Sequence, residues 1–321
     1  MTTISSKGAY KMTDQFLNKI INADCREAMS KMPDNYISAC ITDPPYNYEF
    51  IGHKWDDKEI QRRKDNVKNS NTLVKNIPYG SGLSGGVRNK RWYQKNRDNI
   101  LEYEKWCLDW ATELYRICKP GATVAVFNST RTVAHVQVAL EKAGFYARDM
   151  VVYRRTSGIP KGINMEKKLE KMGNPNSAEL KGWHSCLRSE WEAVCVLQKP
   201  LQNNYIETLL EYDTGLFYTE MSDGGFQSNI LENIKRDKPA NYNIHCTVKP
   251  LDLMQKLVEI FVPRAEGSIV LDPFAGSGTT LVAAKSYGIN YIGIEVEPSY
   301  IEIIEQRLAE INDLQGTLQL F

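Results

Sequence analysis

From residue 249 onward the chain alternates between two hydrophobic periods. A helical pattern over 250–261 leads to an apolar strand at 268–271. A glycine-rich turn, a helix over 279–287, a strand at 291–294 and a helix over 298–312 follow. The first half carries the same alternation, with strands predicted at 36–42, 123–127 and 145–153 and helices at 100–118 and 131–143. A short strand around Ile20-Ile21 precedes them and ends near Asp24. Strands alternating with helices predict an α/β fold with a doubly wound, mostly parallel sheet. The 321 residues, 42% of them hydrophobic, suffice for one large core with inserted segments.

Open sheets of this kind bind ligands where strands end at their carboxyl edge. Two strands end there in an acid followed by proline. The first stops at Asp43-Pro44-Pro45-Tyr46, and two prolines cannot continue a central strand. The Asp43 carboxylate and the Pro44 carbonyl can then act as paired hydrogen-bond acceptors, with Pro45 fixing the turn. Such a pair draws an aromatic amine towards tetrahedral geometry and frees its lone pair for attack. Tyr46 offers a flat face to a base rotated out of its duplex.

The second motif is Asp272-Pro273-Phe274-Ala275-Gly276-Ser277-Gly278-Thr279-Thr280. Its glycines permit a tight turn and close approach of backbone to a ligand. Glu295 ends the next strand, where an acid can accept hydrogen bonds from a ribose. No Gly-Lys-Ser/Thr follows the loop, and the third glycine of the dinucleotide fingerprint is missing. A nucleoside without phosphates fits better than a dinucleotide, which argues against a dehydrogenase.

These motifs, in this order, resemble the β-group amino-methyltransferases of DNA, the permuted adenine-N6/cytosine-N4 type. The similarity spans about residues 18–50, 100–200 and 240–312. It implies a circularly permuted Rossmann-like methyltransferase fold. It also implies S-adenosyl-L-methionine as cofactor and direct transfer to the amino group of a flipped base, with Asp43, Pro44, Pro45 and Tyr46 catalytic. Asp24 and Cys25, in Asn22-Ala23-Asp24-Cys25, match the element that meets the cofactor's adenine end. His245-Cys246-Thr247-Val248-Lys249-Pro250 is similar to the family's His-Pro-Thr-x-Lys-Pro, with cysteine in place of the first proline; it implies Thr247 and Lys249 as contacts of the methionine part. Asp43, the loop Asp272, Pro273, Phe274, Ala275, Gly276, Ser277, Gly278 and Thr279, and Glu295 with Val296 complete the cofactor set. In the family an Asp at the first catalytic position usually accompanies adenine N6 and a Ser cytosine N4, so adenine is the expected target and cytosine N4 the runner-up. RNA and protein amino-methyltransferases usually start that motif with Asn and place the cofactor loop first. A catalytically dead DNA-binding protein would have no need of intact Asp43, Gly276, Gly278 and Glu295.

The implied partner is double-stranded DNA. Net charge is only +1, so its distribution must carry the interface. Residues 48–98 hold twelve basic side chains against six acidic ones, with Trp55, Tyr79, Trp92 and Tyr93 among them. Lys54, Arg88, Lys90, Arg91 and Trp92 are candidate DNA contacts there, and Arg154, Arg155 and Lys161 further on. The expected division is a catalytic half over 16–154 with its insertion, a target-recognition region over 155–245 and a cofactor half over 246–315. A homodimer and a cognate restriction endonuclease are compatible with the resemblance, although no segment reads as a dedicated interface.

The seven cysteines form no Cys-x-x-Cys pair, and no metal-ligand spacing is visible. With no signal-peptide pattern and no apolar run of about 18 residues, the expectation is a cytoplasmic protein, prokaryotic or phage-encoded, without membrane contact. His53, His135 and His184 read as structural or surface residues, and Glu190 and Glu192 as structural.

Overall fold

A computed structural model describes residues 15–46, 90–155, 162–235 and 248–311, without the side chains of 90–96. Eight strands form one sheet: β1 (Lys19–Asn22), β2 (Ile37–Thr42), β3 (Cys118–Asn128), β4 (Tyr146–Arg154), β5 (Trp191–Gln198), β6 (Ile230–Leu231), β7 (Ile269–Asp272) and β8 (Asn290–Glu295). Their order is β1-β8-β7-β2-β3-β5-β4-β6. The first five are mutually parallel. β5 runs against both neighbours, β3 and β4, and β4 pairs in parallel with β6. The sheet is thus mostly parallel, with one reversed strand near its middle.

The helices among the described residues are α1 (Cys25–Ser30), α2 (Lys90–Ile117), α3 (Val133–Ala143), α4 (Met165–Glu170), α5 (Tyr205–Tyr212), α6 (Leu251–Phe261), α7 (Thr279–Ser286) and α8 (Pro298–Glu310). Alternate strand residues point to opposite faces, and both faces are covered. Cys40, Val124, Val126, Leu271, Ile292 and Ile294 pack against α1, α2 and α3. Ala39, Ile41, Ala125, Phe127 and Val270 pack against α6 and α7. The strands therefore read as continuous apolar runs, as buried parallel strands do; every residue of β2 is buried.

α2 buries Tyr103, Cys107, Trp110, Leu114 and Ile117, the face expected from helical spacing. It begins ten residues before its predicted start, so Lys90, Arg91 and Trp92 lie on its first turn. The apolar run 193–197, strand-like in sequence and inside the expected target-recognition region, belongs to β5, a strand of the core. What stands outside the core in that region is 162–190, with α4 and a single 3₁₀ turn at Ser177–Leu180. No helix among the described residues is long and apolar enough to cross a membrane.

Candidate active site

The carboxyl ends of β1, β8, β7, β2, β3 and β4 share one edge of the sheet. Because β5 is reversed, its beginning lies there too: Ala193 pairs with Asn128 at the end of β3, and Glu192 with Tyr153 near the end of β4. The two acid-proline motifs leave this edge from adjacent strands, in register at Cys40 and Leu271.

Asp272 fastens them together. Its buried carboxylate accepts from Thr42 Oγ1 at 2.7 Å, Thr280 Oγ1 at 2.6 Å and the Phe274 N–H at 3.1 Å. Burial raises its pKa to about 6, against these three donors. Named from the sequence as a cofactor contact, Asp272 is engaged from within as the rivet between β2 and β7.

The Asp43-Pro44-Pro45-Tyr46 turn is gripped at two of its carbonyls. Tyr103 Oη donates to the Pro45 carbonyl at 2.8 Å while accepting from Asn128 Nδ2 at 2.7 Å. The single Thr132 hydroxyl proton is shared between Asn128 Oδ1 and the Tyr46 carbonyl, the latter at 3.3 Å. Among the described residues no donor reaches the Pro44 carbonyl, which precedes them. Asp43 Oδ1 is buried and likewise has no hydrogen-bond partner among those residues. A buried acceptor left unmade costs about 1–3 kcal/mol, so the turn presents two acceptors prepared for donors from outside.

The other carboxylate oxygen, Asp43 Oδ2, lies 3.0 Å from Lys249 Nζ. That ammonium also donates to Glu192 Oε2 at 3.0 Å and Tyr46 Oη at 2.9 Å. It sits over the rings of Phe127 and Tyr46, 4.8 and 5.3 Å from their centroids. Burial raises the Asp43 pKa, Lys249 opposes the rise and Glu192 adds to it. Burial alone would lower the Lys249 pKa, but Asp43, Tyr46 and Glu192 outweigh it and hold the ammonium charged. Lys249, expected beside the cofactor's methionine part, faces the Asp43 carboxylate.

On the other side of Asp272 the glycine-rich turn joins β7 to α7. Gly278 has φ +75°, and a Cβ there would stand 2.7 Å from Ile304 Cγ2, so helix α8 closes the turn from behind. The Gly276 N–H donates to Glu295 Oε2 at 2.7 Å, and the Glu297 N–H to Oε1 at 2.8 Å. Burial lifts Glu295 to about 7 despite these donors. Each carboxylate oxygen keeps a further lone pair, which suits the hydroxyls of a ribose. Phe274 lies against Trp106 and Trp110, at centroid distances of 5.4 and 5.5 Å, and Val296 is exposed beside Glu295. The hydroxyls of Ser277 and Thr279 accept from Arg307, at 3.1 and 2.9 Å, which ties the turn to α8 and leaves each hydroxyl an O–H to donate. This edge thus fits a nucleoside cofactor.

Asp24 caps α1, and Arg26 spans its carboxylate through Nε at 2.9 Å and a terminal nitrogen at 2.8 Å. Cys25 is buried, and desolvation pushes its thiol up to about 12, which leaves it uncharged at neutral pH. Two expected DNA contacts are already paired. Arg154 meets Glu232 at 2.9 Å, and Arg155 meets Glu192 Oε1 at 3.0 Å. Thr247, Lys54, Arg88, Lys161 and the side chains of Lys90, Arg91 and Trp92 lie outside the described residues. Glu192, read from the sequence as structural, stands inside the site; its position before an apolar strand carries no sign of strand direction.

A sequence model of the DNA methylase family matches residues 37–306, most of the chain and all of this edge except β1 and its turn. The chain belongs to the DNA methylase family. Its curated relatives include the type II methyltransferases M.HindIII and M.HinfI of Haemophilus influenzae. The first is 29% identical over 300 residues, covering 90% of this chain and 94% of that one. The second is 26% identical over 311 residues, covering 96% and 72%. Among solved structures, TTHA0409 of Thermus thermophilus in complex with S-adenosyl-L-methionine superposes with a TM-score of 0.54 at 18% identity, covering 93% and 95%. The cytosine-N4-specific PvuII DNA methyltransferase superposes with a TM-score of 0.57 at 14% identity, covering 90% and 85%. These structural likenesses establish that the methylase shares their fold.

Proposed function

We propose that this methylase transfers a methyl group from S-adenosyl-L-methionine to N6 of an adenine flipped out of double-stranded DNA, at a specific site. The observation that carries the reading is the acceptor pair, Asp43 Oδ1 and the Pro44 carbonyl, neither engaged by the described residues. An exocyclic amino group brings two N–H donors, and two acceptors are what it needs to localise its lone pair. When bound, the cofactor supplies an electrophilic methyl group. The protein holds the acceptors still through Tyr103 and Thr132, and stabilises the positive charge that develops on the amine with the Asp43 carboxylate. Tyr46 stacks on the base. Asp43, rather than serine, at the head of the turn favours adenine over cytosine N4.

The cofactor set is Glu295 and Val296, the turn from Pro273 to Thr279, and the elements around Asp24, Cys25, Thr247 and Lys249. For target recognition, 162–190 is well placed: it connects the end of β4 to the start of β5, both at the active edge. It exposes Trp183, Leu187 and Met172 among its lysines. The insertion that follows Tyr46 leaves from the same edge and is the second DNA-contacting segment. The two type II relatives suggest a modification role beside a cognate endonuclease, in a prokaryotic or phage-encoded cytoplasmic setting. The deciding experiment is expression in a bacterium lacking DNA methylation, followed by nucleoside mass analysis and long-read detection of modified bases. N6-methyladenine at one sequence context is the expected result; a methyl found only on cytosine overturns the adenine assignment.

A further inference from the structure

We propose that Glu192 is a positioning residue for methyl transfer: acting through the Lys249 ammonium, it keeps the Asp43 carboxylate aimed at the target amine and stops Lys249 from claiming it. The inference rests on the reading of Asp43 as the amine's acceptor.

Lys249 Nζ has three oxygen partners, one each from Asp43, Glu192 and Tyr46, at 2.9–3.0 Å. An ammonium has three protons, so this set saturates it. Glu192 is itself held from behind. Arg155 donates to its Oε1 at 3.0 Å and to Ser189 Oγ at 2.9 Å, while the Arg155 N–H is bound by the Glu190 carbonyl at 2.7 Å. The chain of contacts runs from β5 and the end of β4, through the start of α6, to the turn after β2. The lysine side chain is 12% exposed and Glu192 18%, so solvent does little to weaken the exchange.

The arrangement sets up a competition. A lone buried ammonium beside Asp43 would draw both carboxylate oxygens and occupy the acceptor the substrate requires. A second carboxylate, fixed by Arg155, takes one of the ammonium's protons and leaves Asp43 Oδ1 open. The charged and titratable groups bearing on Asp43 are Lys249 from the segment just before α6, Glu192 from β5, Tyr46 from its own turn and Asp272 from β7. Among them Lys249 pulls the Asp43 titration down and Glu192 pushes it up. Removing the Glu192 charge therefore moves that titration to lower pH.

The test compares wild type, Glu192→Gln, Lys249→Met and the double variant. Single-turnover transfer of labelled methyl to genomic DNA from a methylation-deficient bacterium is followed across pH, and cofactor affinity is measured by calorimetry. For Glu192→Gln the expected results are a transfer rate lower by about tenfold or more through acceptor misplacement, an acid limb shifted to lower pH and an unchanged cofactor Kd. The double variant should be no slower than Lys249→Met alone. Glu192→Asp, which keeps the charge, should return the acid limb to its wild-type position, and Glu192→Ala, which removes the charge, supplies the shift readout if Glu192→Gln does not fold. An unmoved acid limb in Glu192→Gln, losses that multiply in the double variant, cofactor affinity falling in step with rate, or Glu192→Asp shifted like Gln would each overturn the proposal. A wild-type protein inactive on every DNA would instead sink the proposed function.

Discussion

Tyr103→Phe isolates the grip on the catalytic turn. The ring is 1% exposed and stacks on Trp106 at 5.9 Å; phenylalanine keeps that packing and removes only the hydroxyl. Two hydrogen bonds go with it, from Asn128 Nδ2 and to the Pro45 carbonyl. Asn128 is fully buried, so its amide is left without that acceptor at a cost of about 1–3 kcal/mol. At roughly 2–4 °C per kcal/mol for a large domain, melting should fall by about 2–12 °C. The kinetic effect is separate. With the Pro45 carbonyl released, the turn's carbonyls keep the longer Thr132 contact at Tyr46, and its side chains keep Lys249. A displacement of about 1 Å in reacting groups costs about 100-fold, so a partly loosened turn should lose about 10- to 100-fold in kcat. Cofactor affinity should hold, because Glu295, Gly276 and Phe274 are untouched. Single-turnover methylation with DNA in excess, beside calorimetric cofactor titration, reads both quantities. A variant that melts lower yet keeps kcat within about twofold of wild type, where misplacement should cost far more, would refute the claim that the carbonyl grip serves catalysis.

Asp43→Ala should lower methyl transfer by roughly 10²–10³-fold or more while the protein still binds labelled cofactor in a filter assay; retained turnover would contradict its assignment. Because burial raises the Asp43 pKa, the rate should fall as pH drops through a region above the ordinary aspartate range, and an acid limb at or below the usual value would count against this. Glu295 titrates near 7, and ribose hydroxyls favour its anion, so cofactor binding below that pH should release a proton and weaken as pH falls. Calorimetry at about pH 6, below that titration, in two buffers of different ionisation enthalpy checks it, equal heats being the adverse result. Gly278→Ala forces a side chain into left-handed backbone against Ile304; it should cost about 1–2 kcal/mol and weaken cofactor binding, and an unchanged melt would show that the turn tolerates a Cβ.

Most of the helices and strands were legible because they are long and their periods are clean. α2 was foreseen through Tyr103, Cys107, Trp110, Leu114 and Ile117, although its first ten residues, polar and basic, gave no apolar rhythm. The glycine-rich turn and Glu295 were legible because only glycine tolerates such backbone, and because an acid at a strand end has few structural uses. Lys249 was singled out by resemblance as a cofactor contact, and no local pattern announced its bonds to Asp43, Glu192 and Tyr46. Arg155 was read as a cation for phosphate, and no local pattern announced that an acid much further along the chain would meet it.

Local residue pattern alone determined that this chain builds an α/β sheet, that two strands end in acid-proline turns, and that one turn suits a nucleoside while the other suits an amine. Those properties follow from backbone stereochemistry and side-chain polarity within a few residues. Tertiary structure alone decided that Thr42 and Thr280 lock Asp272 between the turns, that Tyr103 and Thr132 hold the carbonyls of Pro45 and Tyr46, and that β5 is reversed. That reversal brings Glu192 to the active edge rather than the opposite one, because a strand's direction depends on which neighbours it pairs with, and an apolar run reads the same in either direction.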